Sequence, residues 1–155
     1  AAKAAKRAGK IAGEGTIGTY LHFDNRVAAM VELNCETDFV ANTDDFKNLA
    51  KDLAMHVAST APLSVSAEGI DEAVIERERA VYLEQVKEEG KPEHIAERII
   101  EGKLQKFFKE SALLAQPFVK DPDKTIEQLI TEVSSKTGEK IEVARFVRFK
   151  VGEFS

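Results

Sequence analysis

Strand-like patterns lie near both ends of the chain, and helical patterns fill the middle. Residues 16–23 and 26–34 have the apolar alternation and the aliphatic content of strands, and the Asp24-Asn25 segment between them predicts a short turn. Residues 141–151 form a third strand pattern that is rich in β-branched and aromatic side chains. This order predicts an α+β fold in which a three-stranded antiparallel sheet packs on helices.

Two of the helical segments have a clear apolar face. Apolar residues within 46–57 recur at the i, i+3, i+4, i+7 spacing of a helix, and Thr43 precedes them as a capping residue. Residues 125–135 show the same periodicity over a shorter length. In a layered α+β fold these apolar faces lie against the sheet.

The longest helical stretch is interrupted once. Residues 67–89 and 92–110 are separated by Gly90-Lys91-Pro92, which is typical of a helical hairpin with glycine at C′ and proline at the first position of the next helix. The apolar residues of the two arms are predicted to face each other: Val74, Ile75, Val81, Tyr82 and Val86 against Ile95, Ile99, Ile100, Leu104, Phe107 and Phe108. Because its outer faces are highly charged, we expect this antiparallel hairpin, residues 67–110, to project as a subdomain.

The composition is that of a globular protein of ordinary domain size. The 155 residues are 43% hydrophobic and 32% charged, and no apolar stretch approaches the ~20 residues of a membrane span. Cys35 is the single cysteine, which suits a reducing cytosol, and we interpret it as a packed small side chain and not a reactive thiol. We expect a cytoplasmic protein in which residues 14–155 form one domain and residues 1–13 are a helix remnant.

The charge is unevenly distributed. The net charge is −5, yet Lys3, Lys6, Arg7 and Lys10 give residues 1–10 a charge of +4, and the rest of the chain sums to −9. A mostly acidic body argues against a nucleic-acid-binding protein. We interpret the basic segment as a solvated helix face, with contact to RNA or to an acidic partner as the alternative. The chain begins without methionine inside a helical pattern, which suggests a fragment or a chain whose leading residues were removed.

Local motifs do not indicate a catalytic or cofactor site. Gly13, Gly15 and Gly18 match the GxGxxG dinucleotide fingerprint, but that motif follows a strand and opens a helix, whereas here a helix precedes it and a strand follows. The three histidines have no metal-ligand spacing, and neither a P-loop nor a nucleophile elbow is present. We expect no cofactor, no metal and no enzyme activity; an enzyme whose site has no local motif is an alternative.

The segment where the second strand meets the first helical segment is the most informative part of the chain. Residues 32–41 read Glu-Leu-Asn-Cys-Glu-Thr-Asp-Phe-Val-Ala. Thr37 or Asp38 is suited to cap the following helical turn, which would fix the direction of Phe39. Phe39 can then either point outward as a contact or pack into the core beside Phe46, and the residues alone leave both readings open.

The chain resembles the elongation factor Ts family over nearly its full length. The most specific match is NCETDFVA at residues 34–41. The other matching stretches are residues 3–15, 31–41, 49–58, 90–102, 116–119 and 145–152. The match is closest to the compact members, which have one sheet subdomain where longer members have two. Family members also have a small N-terminal helical domain that docks on the GTPase, and this sequence does not include it.

The resemblance implies a guanine-nucleotide exchange factor for the translational GTPase elongation factor Tu. By resemblance, Asp38 and Phe39, flanked by Thr37 and Val40, would insert as a wedge between two helices of the GTPase domain, close to its magnesium and phosphate site, and promote GDP release. His22, adjacent in the hairpin, would be a further contact, with an ordinary surface histidine as the alternative. No bond is made or broken in such an exchange, so the factor would not be an enzyme.

A compact member with one sheet subdomain is expected to act as a homodimer, because a second copy would supply the second contact with the GTPase. We expect sheet edges or the C-terminal strand to form the interface. The partners implied are therefore elongation factor Tu and a second copy of the chain, without direct contact to nucleic acid or membrane. The alternative is an α+β interaction or dimerisation module without exchange activity.

Overall fold

The computed structural model describes residue 7 and residues 9–153. The chain divides into two compact units, one formed by Ala1–Ala61 with Pro117–Ser155 and the other by Pro62–Gln116. The helix remnant predicted for residues 1–13 falls largely outside the described residues. The second unit contains the residues predicted to form the helical hairpin.

The first unit contains both strands and helices, whereas the second is helical. The first unit contains β1 (Glu14–Leu21), β2 (Val27–Cys35), α1 (Asp38–Ala41), α2 (Asp44–Thr60), β3 (Pro117–Phe118), β4 (Asp121–Thr125), α5 (Ile126–Thr137) and β5 (Glu142–Lys150). The second contains α3 (Glu72–Glu88) and α4 (Glu93–Ser111), with short 3-10 turns at Ala67–Gly69 and Leu113–Ala115. Within the described ranges, no helix combines the length and apolarity needed to span a membrane.

The three longest strands of the first unit form one antiparallel sheet in the order β1-β2-β5. β1 and β2 are a hairpin whose register runs from Glu14 opposite Cys35 to Leu21 opposite Ala28. In the connecting turn Asn25 has a φ of 61°, a left-handed conformation that asparagine adopts more readily than most residues. The predicted α+β fold with a three-stranded antiparallel sheet is confirmed.

Helix α2 packs against β1 and β2. It begins at a cap in which the Thr43 hydroxyl accepts a hydrogen bond from the Phe46 amide at 3.3 Å. It ends before Ala61, which has a left-handed φ of 49°. The buried apolar side chains are Phe46, Leu49, Ala50, Leu53, Ala54 and Val57 from α2, and Ala29, Val31, Leu33 and Cys35 from β2. This set forms the part of the core that α2 and β2 contribute, and Val40, Ala41, Ala58, Phe118, Ile126, Ile130, Ile141 and Val143 are also buried in the first unit.

Two glycines of β1 are required by close backbone contacts. A Cβ atom at Gly18 would collide with the main chain of Ala50 in α2, and one at Gly15 would collide with the carbonyl oxygen of Leu33 in β2. Both positions lie within a strand and not in a phosphate-binding loop. Packing in the sheet therefore accounts for two of the three glycines in the GxGxxG match.

A small second sheet was not predicted. β3 and β4 pair antiparallel in a stretch for which the sequence showed no strand pattern. These strands are two and five residues long and contain Pro117 and Pro122, so they show no alternation that could identify them. α5 follows β4 directly, begins with a capping box between Thr125 and Gln128, and ends before Gly138 with a φ of 73°.

In the second unit, α3 and α4 form the predicted helical hairpin, with two differences at the helix ends. Gly90 has a φ of 70° and follows Glu89, the C-cap residue of α3, as expected for a glycine at C′. Pro92, however, is the N-cap of α4 and not its first helical residue. α3 begins at Glu72 and not at residue 67, because Ala67–Gly69 form a separate 3-10 turn.

The hairpin has its own small core. Val86, Ile100 and Leu104 are buried, and the side chains packed against them are Ile75, Tyr82, Ala96, Ile99 and Phe108. Val81 and Ile95, which were predicted to face the opposite arm, are 51% and 40% exposed. Each lies five residues before a core residue, Val86 or Ile100, and is therefore turned away from it by about 140° around the helix.

Candidate functional site

Phe39 lies on a single helical turn that follows β2. The turn, α1, begins at a cap in which the Thr37 hydroxyl accepts a hydrogen bond from the Val40 amide at 3.3 Å. Val40 and Ala41 are buried, whereas Phe39 is 81% exposed. The turn is therefore anchored in the core on one side and presents an aromatic side chain on the other.

The alternative in which Phe39 packs into the core is wrong. Phe46, in the first turn of α2, is fully buried, and Phe39 remains at the surface. An exposed phenylalanine leaves a large apolar area in water, which makes it available for contact with another molecule.

Asp38 stands beside Phe39 and is also exposed. It lies in the first turn of α1, where the helix dipole favours a negative charge. Its main-chain carbonyl accepts hydrogen bonds from the Asn42 amide at 3.0 Å and from the Asn42 side-chain nitrogen at 2.9 Å. These bonds close the turn, which presents an acidic and an aromatic side chain next to each other.

Glu139, from the loop between α5 and β5, holds the start of this turn. Its Oε1 accepts hydrogen bonds from the Glu36 and Thr37 amides, both at 3.1 Å, and its Oε2 accepts one from the Thr37 hydroxyl at 2.7 Å. In return the Lys140 amide donates to Glu36 Oε2 at 2.7 Å. The sequence reasoning missed Glu139, because it is 102 residues from Thr37 and no local pattern marks it.

Cys35, the last residue of β2, lies beneath the same turn. It is fully buried, and its Sγ donates a hydrogen bond to the Thr37 carbonyl oxygen at 3.1 Å. Burial raises the pKa of the Cys35 thiol, and the negative charge of Glu139 raises it further. As predicted from the sequence, this cysteine is a packed group and not an exposed nucleophile.

His22 lies at the opposite end of the β1–β2 hairpin. It follows β1 at the turn, whereas the Phe39 turn follows the end of β2 that pairs with the start of β1. The two ends are separated by the nine residues of β2, a span of about 26 Å at ~3.3 Å per residue step. His22 Nδ1 is hydrogen-bonded to the Tyr20 hydroxyl at 2.8 Å, and its ring centroid is 4.4 Å from that of Phe23.

Thr37, Asp38, Phe39 and Val40 thus share one turn, whereas His22 lies at the other end of the hairpin and is not adjacent to them as expected. In the described part of the chain, no three His, Cys, Asp or Glu side chains are grouped so that they could hold a metal ion. The groups that are brought together can make apolar, acidic and hydrogen-bonding contacts. The candidate site is therefore one for binding another molecule.

The fold and this turn define a class: an α+β protein that presents an aromatic side chain on a capped surface turn. Comparison with known proteins gives the family. The family profile described as Elongation factor TS matches residues 4–153, and the chain belongs to the elongation factor Ts family.

Individual relatives agree with this assignment. Elongation factor Ts of Syntrophobacter fumaroxidans is 52% identical over 151 residues, which cover 97% of this chain and 76% of that protein. Elongation factor Ts of Thermosipho melanesiensis is 52% identical over 152 residues, covering 98% of this chain and 78% of that protein. Elongation factor Ts of Desulforamulus reducens is 50% identical over 152 residues, covering 98% and 70%.

Proposed function

We propose that this chain promotes GDP release from elongation factor Tu as a guanine-nucleotide exchange factor. Membership of the elongation factor Ts family supports the general role. The single observation that carries the specific site is the 81% exposure of Phe39 on a turn that is capped and anchored in the core. The protein would act in the cytoplasm, where translation takes place.

In the proposed mechanism, Phe39 and Asp38 enter between two helices of the GTPase domain, with Thr37 and Val40 supporting them. Magnesium bridges nucleotide phosphate oxygens and GTPase ligands, so a shift of the structure that supports the metal weakens nucleotide binding. By linkage, if the factor weakens nucleotide binding, then a newly bound nucleotide weakens factor binding equally. The factor then dissociates, and no covalent bond has been made or broken.

We also propose that the protein acts as a homodimer that associates through the outer face of its sheet. Antiparallel sheets with one packed face usually carry polar residues on the other. Here the outward positions form three cross-strand rows: Ile17, Glu32 and Arg145; Thr19, Met30 and Val147; Leu21, Ala28 and Phe149. Most of these side chains are apolar, and Phe149 is 71% exposed.

The charges on this outer face favour a second copy as the occupant. Glu32 and Arg145 form an ion pair at 2.8 Å in the first row, and both are partly accessible. In a twofold interface each contact between two different residues occurs twice, so the acidic Glu32 and the basic Arg145 allow two copies of this face to pair their charges. The proposed interface includes the outer face of β5, the C-terminal strand that the sequence analysis expected to take part.

The direct test of the exchange function is the release of a fluorescent GDP analogue from bacterial elongation factor Tu. The intact chain is expected to accelerate release, and Phe39→Ala is expected to abolish the acceleration. Ile11→Ala is the matched control, since Ile11 is also a highly exposed apolar residue, at 87%. Acceleration that survives in Phe39→Ala would reject the wedge, and no acceleration by the intact chain would favour a binding module without exchange activity.

Stability measurements complete this test. Phe39→Ala is expected to change the free energy of unfolding by no more than about 0.5 kcal/mol, as is usual for surface substitutions. Phe46→Ala, in the buried core, is expected to cost about 3–5 kcal/mol. A large loss of stability in Phe39→Ala would mean that its loss of activity reflects unfolding and not a lost contact.

A further inference from the structure

The Thr37 hydroxyl takes part in two hydrogen bonds with opposite roles. It donates to Glu139 Oε2 at 2.7 Å and accepts from the Val40 amide at 3.3 Å. A hydroxyl group has one proton and two lone pairs. Because the hydroxyl hydrogen points to the Glu139 carboxylate, an oxygen lone pair is left to accept the hydrogen bond from the Val40 amide. Glu139 thereby selects the orientation in which Thr37 caps α1.

Glu139 also binds the main chain just ahead of the turn. Its Oε1 accepts from two successive amides, those of Glu36 and Thr37, both at 3.1 Å. Hydrogen bonds to a carboxylate are stronger than those between neutral groups. α1 is only four residues long, and a helix of that length does not persist through its own hydrogen bonds. The direction of the turn therefore depends on the groups that hold its ends.

Glu139 is itself held in place. Its carbonyl oxygen accepts a hydrogen bond from Ser134 Oγ at 2.6 Å, and its amide donates to Thr137 Oγ1 at 3.3 Å. Gly138, with a φ of 73°, ends α5 immediately before it. These hydrogen bonds hold the main chain of Glu139 at the end of α5 and so position its carboxylate.

We propose that Glu139 is a positioning residue for nucleotide exchange: through the Thr37 cap it sets the direction in which Phe39 leaves the turn. This inference rests on the exchange function proposed above. Glu139 needs no contact with the GTPase, since it acts on the backbone that carries Phe39. A Phe39 side chain that leaves the turn in another direction would not enter between the two helices of the GTPase domain, although the chain itself would remain folded.

The first test compares Glu139→Ala and Glu139→Gln in the GDP-release assay. The amide of glutamine keeps one acceptor oxygen, but its nitrogen cannot accept the Thr37 proton. The alanine variant is expected to lower the release rate at a given factor concentration about tenfold, the equivalent of one charge-assisted hydrogen bond, and the glutamine variant less. Unchanged release in Glu139→Ala would overturn the proposal.

Thr125→Ala is the matched control for a merely structural effect. Thr125 caps α5 through a hydrogen bond from the Gln128 amide at 3.2 Å, so its removal also costs a helix cap, but not the one beside Phe39. Thr125→Ala is expected to lower the midpoint of denaturation and leave the release rate unchanged. Equal losses of release in Thr125→Ala and Glu139→Ala would overturn the proposal.

A double variant tests whether Glu139 acts through Phe39. Because Phe39→Ala alone is expected to abolish the acceleration, the double variant is compared by its affinity for elongation factor Tu. If Glu139 acts through Phe39, Phe39→Ala with Glu139→Ala is expected to bind no more weakly than Phe39→Ala alone, since the side chain to be positioned is already gone. Multiplied losses would show that Glu139 acts independently of Phe39 and would overturn the proposal.

Hydrogen exchange of the Val40 amide, measured by NMR, gives a readout that does not need the GTPase. Glu139→Ala is expected to speed this exchange about tenfold relative to Thr125→Ala, since the cap loses its orientation. Unchanged protection of Val40 would overturn the positioning role even if the chain is active. Absence of GDP release by the intact chain, with Val40 protection lost in Glu139→Ala, would instead reject the exchange function and leave the control of the turn by Glu139 supported.

Discussion

Phe39 and His22 are separated by the full length of the β1–β2 hairpin. The turn that carries Phe39 follows Cys35, which pairs with Glu14 at the start of β1, whereas His22 follows Leu21 at the far end. Strand geometry puts about 26 Å between these ends. In the proposed homodimer, the two residues proposed to contact one GTPase can therefore come from different copies of the chain.

Mixed dimers of two single variants are expected to test this arrangement. In a shared site, Phe39 comes from one copy and His22 from the other. A dimer of one His22→Ala chain and one Phe39→Ala chain therefore has one site in which both residues are intact and one in which both are replaced. We therefore expect GDP release to reach about a quarter of the wild-type rate when the two variants are mixed and refolded together, because half of the dimers are then mixed and each mixed dimer has one intact site of two. Release of the fluorescent GDP analogue measures this complementation.

The reciprocal mixture is the control for the mixed dimers. A dimer of the wild-type chain with a chain that carries both substitutions has no intact site if each GTPase is contacted by both copies. It has one intact site if each chain acts alone. Wild-type homodimers contribute about a quarter of the wild-type rate to this mixture, so a rate of about half, together with no complementation between the single variants, would contradict the shared site.

A charge on the outer face of the sheet is expected to prevent dimer formation. Met30 lies in the middle row of this face, paired with Thr19 on one side and Val147 on the other. Met30→Lys would bury an unpaired ammonium group in the proposed interface, which is strongly unfavourable. Sedimentation velocity at tens of micromolar is expected to show a dimer for the wild-type chain and a monomer for this variant.

Val81→Lys is the matched control for Met30→Lys, because Val81 is a similarly exposed apolar residue, at 51%, but belongs to the helical hairpin. It is expected to leave the dimer unchanged. A wild-type chain that sediments as a monomer and still promotes GDP release would contradict the proposed homodimer.

Gly18→Ala is expected to destabilise the protein. Its new Cβ would collide with the main chain of Ala50, and neither a strand nor a helix backbone can move locally without disturbing the core. We expect a loss of about 1–3 kcal/mol in the free energy of unfolding, as for other overpacked cores. Urea denaturation followed by circular dichroism measures it.

Gly102→Ala provides the opposite result as a control. Gly102 lies inside α4, and nothing is within 4 Å of a Cβ added there. Alanine is a better helix former than glycine, so this variant is expected to gain about 0.5–1 kcal/mol. Equal effects of the two substitutions would contradict the close contact between Gly18 and α2.

The buried thiol of Cys35 is expected to make stability decrease at alkaline pH. Burial raises its pKa above the ordinary value of 9.0, so the unfolded chain loses the thiol proton before the folded protein does. The stabilisation is therefore complete below the unfolded pKa and is lost as the pH rises toward the folded pKa, with a slope of at most about 1.4 kcal/mol per pH unit.

The difference between the wild-type chain and Cys35→Ala isolates this effect from the other groups that titrate above pH 8. The free energy of unfolding of the wild-type chain is expected to decrease more steeply as the pH rises above the ordinary thiol pKa of 9.0. Parallel curves for the two proteins would show that the thiol is ionised equally in the folded and unfolded states.

Much of the fold could be predicted because the signals for it are local. Alternation in β1 and β2, the stripe of apolar residues in α2 and the Gly90-Lys91-Pro92 interruption each reflect the geometry of a few neighbouring residues. The β3–β4 pair could not be predicted, because strands this short contain too few residues to show a period. Val81 was wrongly predicted to face the opposite arm, because an apolar residue five positions before Val86 lies about 140° away from it around the helix.

The candidate site divides in the same way. The sequence by itself identified the segment at residues 34–41, the cap at Thr37 and the choice facing Phe39, since capping depends on residues within one turn. Only the tertiary structure decided that Phe39 points outward and that Glu139 holds the cap. These facts depend on which distant segments the packed core brings together, and that information is not present in any short stretch of sequence.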